Sequence, residues 1–420
     1  MDTSASLSAA LTRTSARGWA VALLSRLHMS SVMLVSFTFG IFLPFLRQDL
    51  VLSPLQVGLL QGVWWVTSAV LTLPCSVWLS RYRPIPLVLV SLALDVPLLV
   101  LQGLAESFWV LLLARFGFIL CHVISTPARP LLLHQWVAPR QYAVVNAIGL
   151  SQHSLLLAVA MSTSAALITA VGSWRVAYVI QAGAFLVQTI AWLIVARQGK
   201  VPLPGVQQAI QEQQGSPIRA LRLYPQGWFL GVVMFALSAT WTALVTFLPT
   251  LLLDSRGMAP TSSGPLLGCL YYGLIPGGLL AGVLEKRVQH RQFLLWIPAL
   301  CNMLLGLAIT YTTTPWLLMV LLTGVGLVWI ASPIMEILPF ELPDIHPREV
   351  AVIVSLVRTL SGLGFAIGPL VTGVVAQWTG SLQTGLLALC LLTGVGVIAG
   401  LCYPSHTQTR HDSAASADLG

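Results

Sequence analysis

Apolar runs of about 20 residues follow one another along this chain, each long enough to cross a hydrocarbon core of roughly 30 Å as a helix. LVSFTFGIFLPFL, PLVLVSLALDVPLLVL and LLALCLLTGVGVIAGL are examples. In lipid every backbone N–H and C=O must find its partner inside the protein, so only helices and closed barrels can span. The runs lack the ten-residue alternation of an outer-membrane barrel. Composition points the same way: 56% of the 420 residues are hydrophobic and 8% charged, where soluble proteins carry about 25% charged residues. The chain reads as an all-α polytopic membrane protein.

Twelve transmembrane helices are expected, at approximately 27–46, 55–80, 85–104, 108–132, 143–171, 176–196, 227–252, 262–284, 293–312, 316–338, 351–376 and 383–403. The first run is too long for a signal peptide and is read as retained. Residues 1–18 read as a disordered tail, 19–196 as an N-terminal six-helix bundle and 197–226 as a cytoplasmic linker carrying KVPLPGVQQAIQEQQGSP. Residues 227–403 form the C-terminal bundle and 404–420 a second tail.

The basic residues orient the chain. With both termini in the cytoplasm, fifteen of the 21 Lys and Arg, from Arg13 to Arg410, fall on that side. Arg47, Arg175 and Arg256 fall outside, and Arg115, Arg129 and Arg358 lie within or at the ends of spans. This bias predicts a multi-pass protein of the cell (inner or plasma) membrane. The formal charge of +8 is therefore mostly a topology signal. No soluble domain is left to carry a nucleic-acid-binding face, so the expected partners are the lipid bilayer and a small-molecule substrate, with the chain a monomer. The six cysteines stand singly and read as packed thiols without metal. No cofactor and no catalytic residue is expected: neither H-E-x-x-H nor G-x-S-x-G occurs, and no P-loop.

The second half repeats the first at an offset near 206. FLP at 42–44 returns at 247–249. Pro54, Gly58 and Gly62 return as Pro260, Gly264 and Gly268, Trp109 as Trp316, and PRQYAV at 139–144 as PREVAV at 347–352. Six spans is an even number, so the copies share one orientation and form a parallel repeat. Two six-helix bundles, a linker and a parallel repeat resemble the major facilitator superfamily over nearly the whole chain. The loop between helices 2 and 3, with Ser76, Ser80 and Arg81, is similar to the family's G-x-x-x-D-R-x-G-R but lacks its Asp in both copies. Arg115 stands where the family often has an Arg in helix 4, and GSWR at 172–175 is similar to its helix 6 entry. The resemblance implies alternating access around a central site lined by helices 1, 4, 7 and 10.

Ionisable groups inside spans are costly and mark cavities or partners. Arg115, His122 and Arg129 are spaced by seven residues, about two helical turns each, so they share one face of the fourth span. As a track they would attract an anion. Taken singly, Arg115 is a structural arginine, His122 an interhelical hydrogen-bonding group, and Arg129 a snorkelling one. At an offset of 207, Arg129 maps to Glu336 and His122 to Trp329. Glu336 then pairs with Arg129 as a gate or with Arg358 as a strut within its own bundle, and both readings stand. Asp95, near the middle of the third span, is either the ion-pair partner of Arg115 or a proton carrier. His153 is read as a packing residue. Gln61, Trp241, Thr242, Tyr271 and Trp329 are further substrate-binding candidates, with Trp64, Tyr272 and Asn302 behind them; aromatics with hydroxyls and amides suit a small organic ligand.

The function these features support is secondary active transport of a small solute, an organic or inorganic anion, in symport with protons carried by His122, Asp95 or Glu336. Drug or metabolite export by the same machinery is the alternative, and an intramembrane enzyme the more distant one.

Overall fold

The computed structural model describes residues 14–79, 82–126, 128–138, 141–196, 221–288, 290–342 and 347–404. The side chains of some further residues inside these stretches, Glu336 among them, fall outside the described set, as do most of the expected linker and tails. Among the described residues the chain is helical, and eleven of its helices are long and apolar enough to cross a membrane. The eighth expected span, which is not among those eleven, is the 28-residue helix Pro260–Arg287.

Local sequence explains where the helices start. Pro54, Pro84, Pro260, Pro315 and Pro347 each begin a helix, where the missing N–H costs nothing and the fixed φ is already helical. Ser15, Ser107 and Ser381 cap others by accepting from Gly18, Val110 and Thr384 N–H, which satisfies donors that lipid could not. The first helix begins at Ala16 and runs 35 residues to Leu50, well ahead of the expected start of the first span.

Three spans are broken. The fourth divides into Phe108–Ser125 and Ala128–Trp136, the tenth into Pro315–Val328 and Ala331–Ile337, and the twelfth into Leu382–Leu392 and Gly394–Leu401. The fourth and tenth are repeat mates, and each carries a proline at the matching place, Pro127 and Pro333. Proline removes one rung of the helical ladder and frees the carbonyl it would have served.

The described chain packs as two compact units, Met1–Gln213 with Val245–Tyr271, and Gln214–Leu244 with Tyr272–Gly420. The seventh helix, Gln226–Arg256, thus contributes to both. In the first unit the third span packs against the fourth and sixth, and the first against the fifth. The second unit has a core of Leu230, Leu237, Leu295, Ala331 and Ile334. Within it Gly364 and Gly368 let the eleventh span lie directly on the backbone of Phe235 and Ala239, the close approach that small residues four apart permit.

The repeat also reaches backbone conformation. The first helix ends at Val51 with φ 48°, and its mate 206 residues on, Gly257, ends the seventh with φ 61°. Glycine holds this left-handed form freely, whereas a β-branched residue there is strained. Val51→Gly is therefore expected to leave stability unchanged or raise it by up to about 1 kcal/mol, and Gly257→Val to lower it by about 1–2 kcal/mol. Thermal unfolding of the purified protein checks this; equal effects of the two changes would contradict it.

Candidate functional site

Arg115 is the largest charged group buried in the first unit, with no exposed surface. Its Nε donates to the Leu60 carbonyl at 3.1 Å and its Nη2 to Gln61 Oε1 at 3.0 Å. Gln61 in turn donates through Nε2 to the backbone carbonyl and hydroxyl of Ser36. The guanidinium lies 4.1 Å from the Phe39 ring centroid and 5.3 Å from that of Trp64. Ring faces, an amide and a backbone carbonyl thus replace water around this cation. Nη1 makes no well-aligned hydrogen bond, and the Tyr178 hydroxyl on the sixth span lies within electrostatic reach of the guanidinium.

The expected Asp95–Arg115 ion pair does not form. Asp95 is buried, accepts from the Ser91 hydroxyl at 3.4 Å and has no partner at Oδ1. It lies within electrostatic reach of Cys121, six residues beyond Arg115, or about 9 Å along a helix. The two charges sit at different depths, and Arg115 turns toward the first and second spans.

His122 meets a residue that sequence reasoning passed over. His28, on the first span, lies with its ring centroid 6.0 Å from that of His122 and 6.1 Å from Phe185. Both imidazoles are buried, and both have an Nδ1 with no partner. His28 Nε2 is 3.3 Å from Ser125 Oγ. Nearer the N-terminal end of the first span, half-buried Arg26 and Arg129 and the imidazole of His153 lie within electrostatic reach of one another. His153 Nδ1 is 2.9 Å from Ser30 Oγ. The stripe on the fourth span is thus faced along its length by the first span: Phe39 by Arg115, His28 by His122, Arg26 by Arg129.

In the second unit a cavity of about 160 Å³ is lined by Met234, Trp329, Ser332, Met335, Val357 and Arg358, together with Val354 and Ser361. Trp329 is stacked on Phe365 at 5.8 Å and meets Trp241 edge-on at 5.1 Å. Its indole Nε1 is buried without a partner. Arg358 is exposed, and Ser361 shares a hydrogen bond with Ser238 at 2.7 Å. Thr242, expected to contact substrate, is fully buried and spends its hydroxyl on the Ser238 carbonyl of its own helix. Asn302 donates to Thr240 at 2.9 Å. Tyr271 is buried in the first unit with its ring on Phe37. The gate and strut expected at Glu336 lie outside the described residues, since only the backbone of that residue, in Ala331–Ile337, is described.

Among the described residues two ion pairs occur, both in the first unit: Arg47–Asp254 at 2.8 Å and Arg175–Asp49 at 2.6 Å. Asp49 also accepts from Trp174 Nε1 at 2.8 Å, so the Trp-Arg of GSWR acts as a clasp on the end of the first helix. Arg47 and Asp254 are repeat mates at offset 207, a signal the sequence held.

The sequence profile of the Major Facilitator Superfamily matches residues 28–344. The hexuronate transporter of Bacillus subtilis (strain 168) is 22% identical over 376 residues, covering 85% of this chain and 87% of that one. A bacterial homologue of the human lysosomal transporter Spinster, solved inward-facing and unoccupied, is similar with a TM-score of 0.72 at 17% identity, over 92% of this chain and 95% of that one. The nucleoside transporter NupG gives a TM-score of 0.73 at 12% identity, over 93% of this chain and 99% of that one. At these identities the structural likeness speaks for the fold.

The Arg115 shell makes its own prediction. Arg115→Met leaves the Gln61 and Leu60 acceptors bare and is expected to lower stability by roughly 1–3 kcal/mol for each. Adding Gln61→Leu should recover part of the loss, because removing both partners is nearly neutral. Thermal unfolding reads both, and an Arg115→Met protein as stable as the parent would show the shell to be idle.

Proposed function

Since this chain belongs to the major facilitator superfamily, we propose that it is a secondary transporter carrying a small organic anion of the sugar-acid class in symport with a proton. The observation that carries this reading is the second-unit cavity, whose lining includes Arg358, Ser332 and Trp329, the last with an indole N–H that has no hydrogen-bond partner. A planar guanidinium binds a carboxylate through two parallel hydrogen bonds. An aromatic face held flat, as Phe365 holds Trp329, suits the apolar face of a small ring, and hydroxyls suit its polar edge. The hexuronate transporter relative handles solutes of this chemistry by its name, which supports the class.

Charge movement supports the coupling. With fifteen Lys and Arg on the N-terminal side, that side is the cytoplasm. Bringing one negative charge inward against −100 mV costs about 2.3 kcal/mol, and a proton travelling with it cancels that cost. Arg115 belongs to the scaffold of the first unit, since its shell is already assembled. Arg358 and Trp329 act on the substrate.

Counterflow of labelled glucuronate in proteoliposomes tests the reading. Arg358→Gln is expected to reduce exchange about 10–100-fold, the weight of a charge-assisted hydrogen bond of roughly 1.5–3 kcal/mol. Arg358→Lys should keep part of it, as a point charge without the fork. Exchange of uridine but not glucuronate, or an Arg358→Gln protein with unchanged glucuronate exchange, would sink the proposal.

A further inference from the structure

The buried histidine pair of the first unit has a hydrogen-bonding pattern that fixes the proton on one ring. The fourth span breaks at Thr126, ahead of Pro127. Proline offers no N–H to Val123, so the Thr126 N–H turns back to the Val123 carbonyl at 3.3 Å, and the His122 carbonyl gives up its usual helical partner. Two hydroxyls take its place, Ser125 Oγ donating at 2.8 Å and Thr126 Oγ1 at 3.3 Å. A serine hydroxyl has one proton. With that proton committed to His122, Ser125 Oγ can only accept from His28 Nε2, 3.3 Å away. His28 Nε2 therefore carries the hydrogen, and its Nδ1 presents a bare lone pair, buried and without a partner. The unpartnered Nδ1 of His122 belongs to the ring beside it.

We propose that His28 and His122 form the binding site of the coupling proton, with His28 Nδ1 as the acceptor. The inference rests on the proton-symport reading above and names the place where the proton rides. One proton from the outer solution adds to His28 Nδ1, giving an imidazolium that keeps its Nε2–H to Ser125. The same proton leaves Nδ1 to the cytoplasm later in the cycle, and no bond other than N–H forms or breaks. The added positive charge balances the single negative charge of the substrate, so the loaded carrier crosses without net charge.

The surroundings suit a proton that binds and leaves. Two residues before His28, Arg26 lies within electrostatic reach of Arg129 on the fourth span and of His153 on the fifth, which reaches Ser30. Asp95 on the third span accepts from Ser91 and lies within electrostatic reach of Cys121, the residue before His122. The sixth span presents Phe185 and Gln188, which are neutral.

The full chain in proteoliposomes tests the proposal, with labelled glucuronate measured in counterflow without an ion gradient and under an imposed pH gradient, inside alkaline. His28→Gln keeps an N–H for Ser125 and has no base. Its ratio of pH-driven accumulation to counterflow is expected to fall about tenfold or more. His122→Gln should behave alike. A His28→Gln protein that accumulates as the parent does, or that loses counterflow and accumulation in equal proportion, overturns the proposal. If His28→Gln does not fold, Ser125→Ala takes its place, with the pH profile of accumulation shifted and counterflow kept; an unmoved profile overturns the proposal. If the parent shows no glucuronate counterflow, the anion reading fails by itself, and the pair is judged without substrate. Proton titration of the purified chains, parent minus His28→Gln, is then expected to differ by about one proton, and coincident curves overturn the proposal.

Discussion

A charge inside a hydrocarbon layer must bring its own solvent, and this rule orders the first unit. Arg115 could not stay ionised in so apolar a helix without the Leu60 carbonyl, the Gln61 amide and the faces of Phe39 and Trp64. Those four residues come from the first and second spans, so solvating one cation fixes three helices against each other. Arg175 follows the same rule at a helix end, held by Asp49 and the Ala105 carbonyl. Once a charge is solvated in this way, it is unavailable for a passing ligand. Among the groups left with spare capacity, the Nδ1 atoms of His28 and His122 and the indole N–H of Trp329 are the ones to suspect of function.

Those groups share a place in the repeat. His122 and Trp329 are mates at offset 207, and each stands at the break of its span, before Thr126 in one copy and at the end of Pro315–Val328 in the other. A break in a spanning helix frees backbone groups that must be satisfied by side chains or by whatever fills a cavity. In the first copy hydroxyls do this, and one of them, Ser125 Oγ, lies 3.3 Å from His28 Nε2. In the second copy the break borders a cavity.

The spans, the repeat and the family were legible in the sequence because bilayer thickness and the cost of bare backbone leave few solutions for apolar runs of this length. The side-chain partners were less so. Asp95 and Arg115 were expected to meet because their spans are antiparallel neighbours. Depth read from span limits is uncertain by more than one helical turn, and that is the distance by which they miss. Thr242 looked like a pocket hydroxyl, but a threonine in a helix can always turn its Oγ to its own backbone four residues back. His28 gave no periodic signal, since a lone histidine in an apolar run becomes a site only when another span places His122 beside it. Arg47–Asp254 was visible in the offset of 207, had that offset been applied to every charged residue.

The most direct measurement is thermal unfolding of the purified protein against small anions, cations and neutral metabolites. A ligand that binds the native state raises stability by RT ln(1 + [L]/Kd), about 2.7 kcal/mol at a hundred times Kd. A chain whose second-unit cavity holds a carboxylate on Arg358 is stabilised by sugar acids and by little else on that panel. Stabilisation by lipophilic cations or by nucleosides, with sugar acids inert, would contradict the assignment of an organic anion.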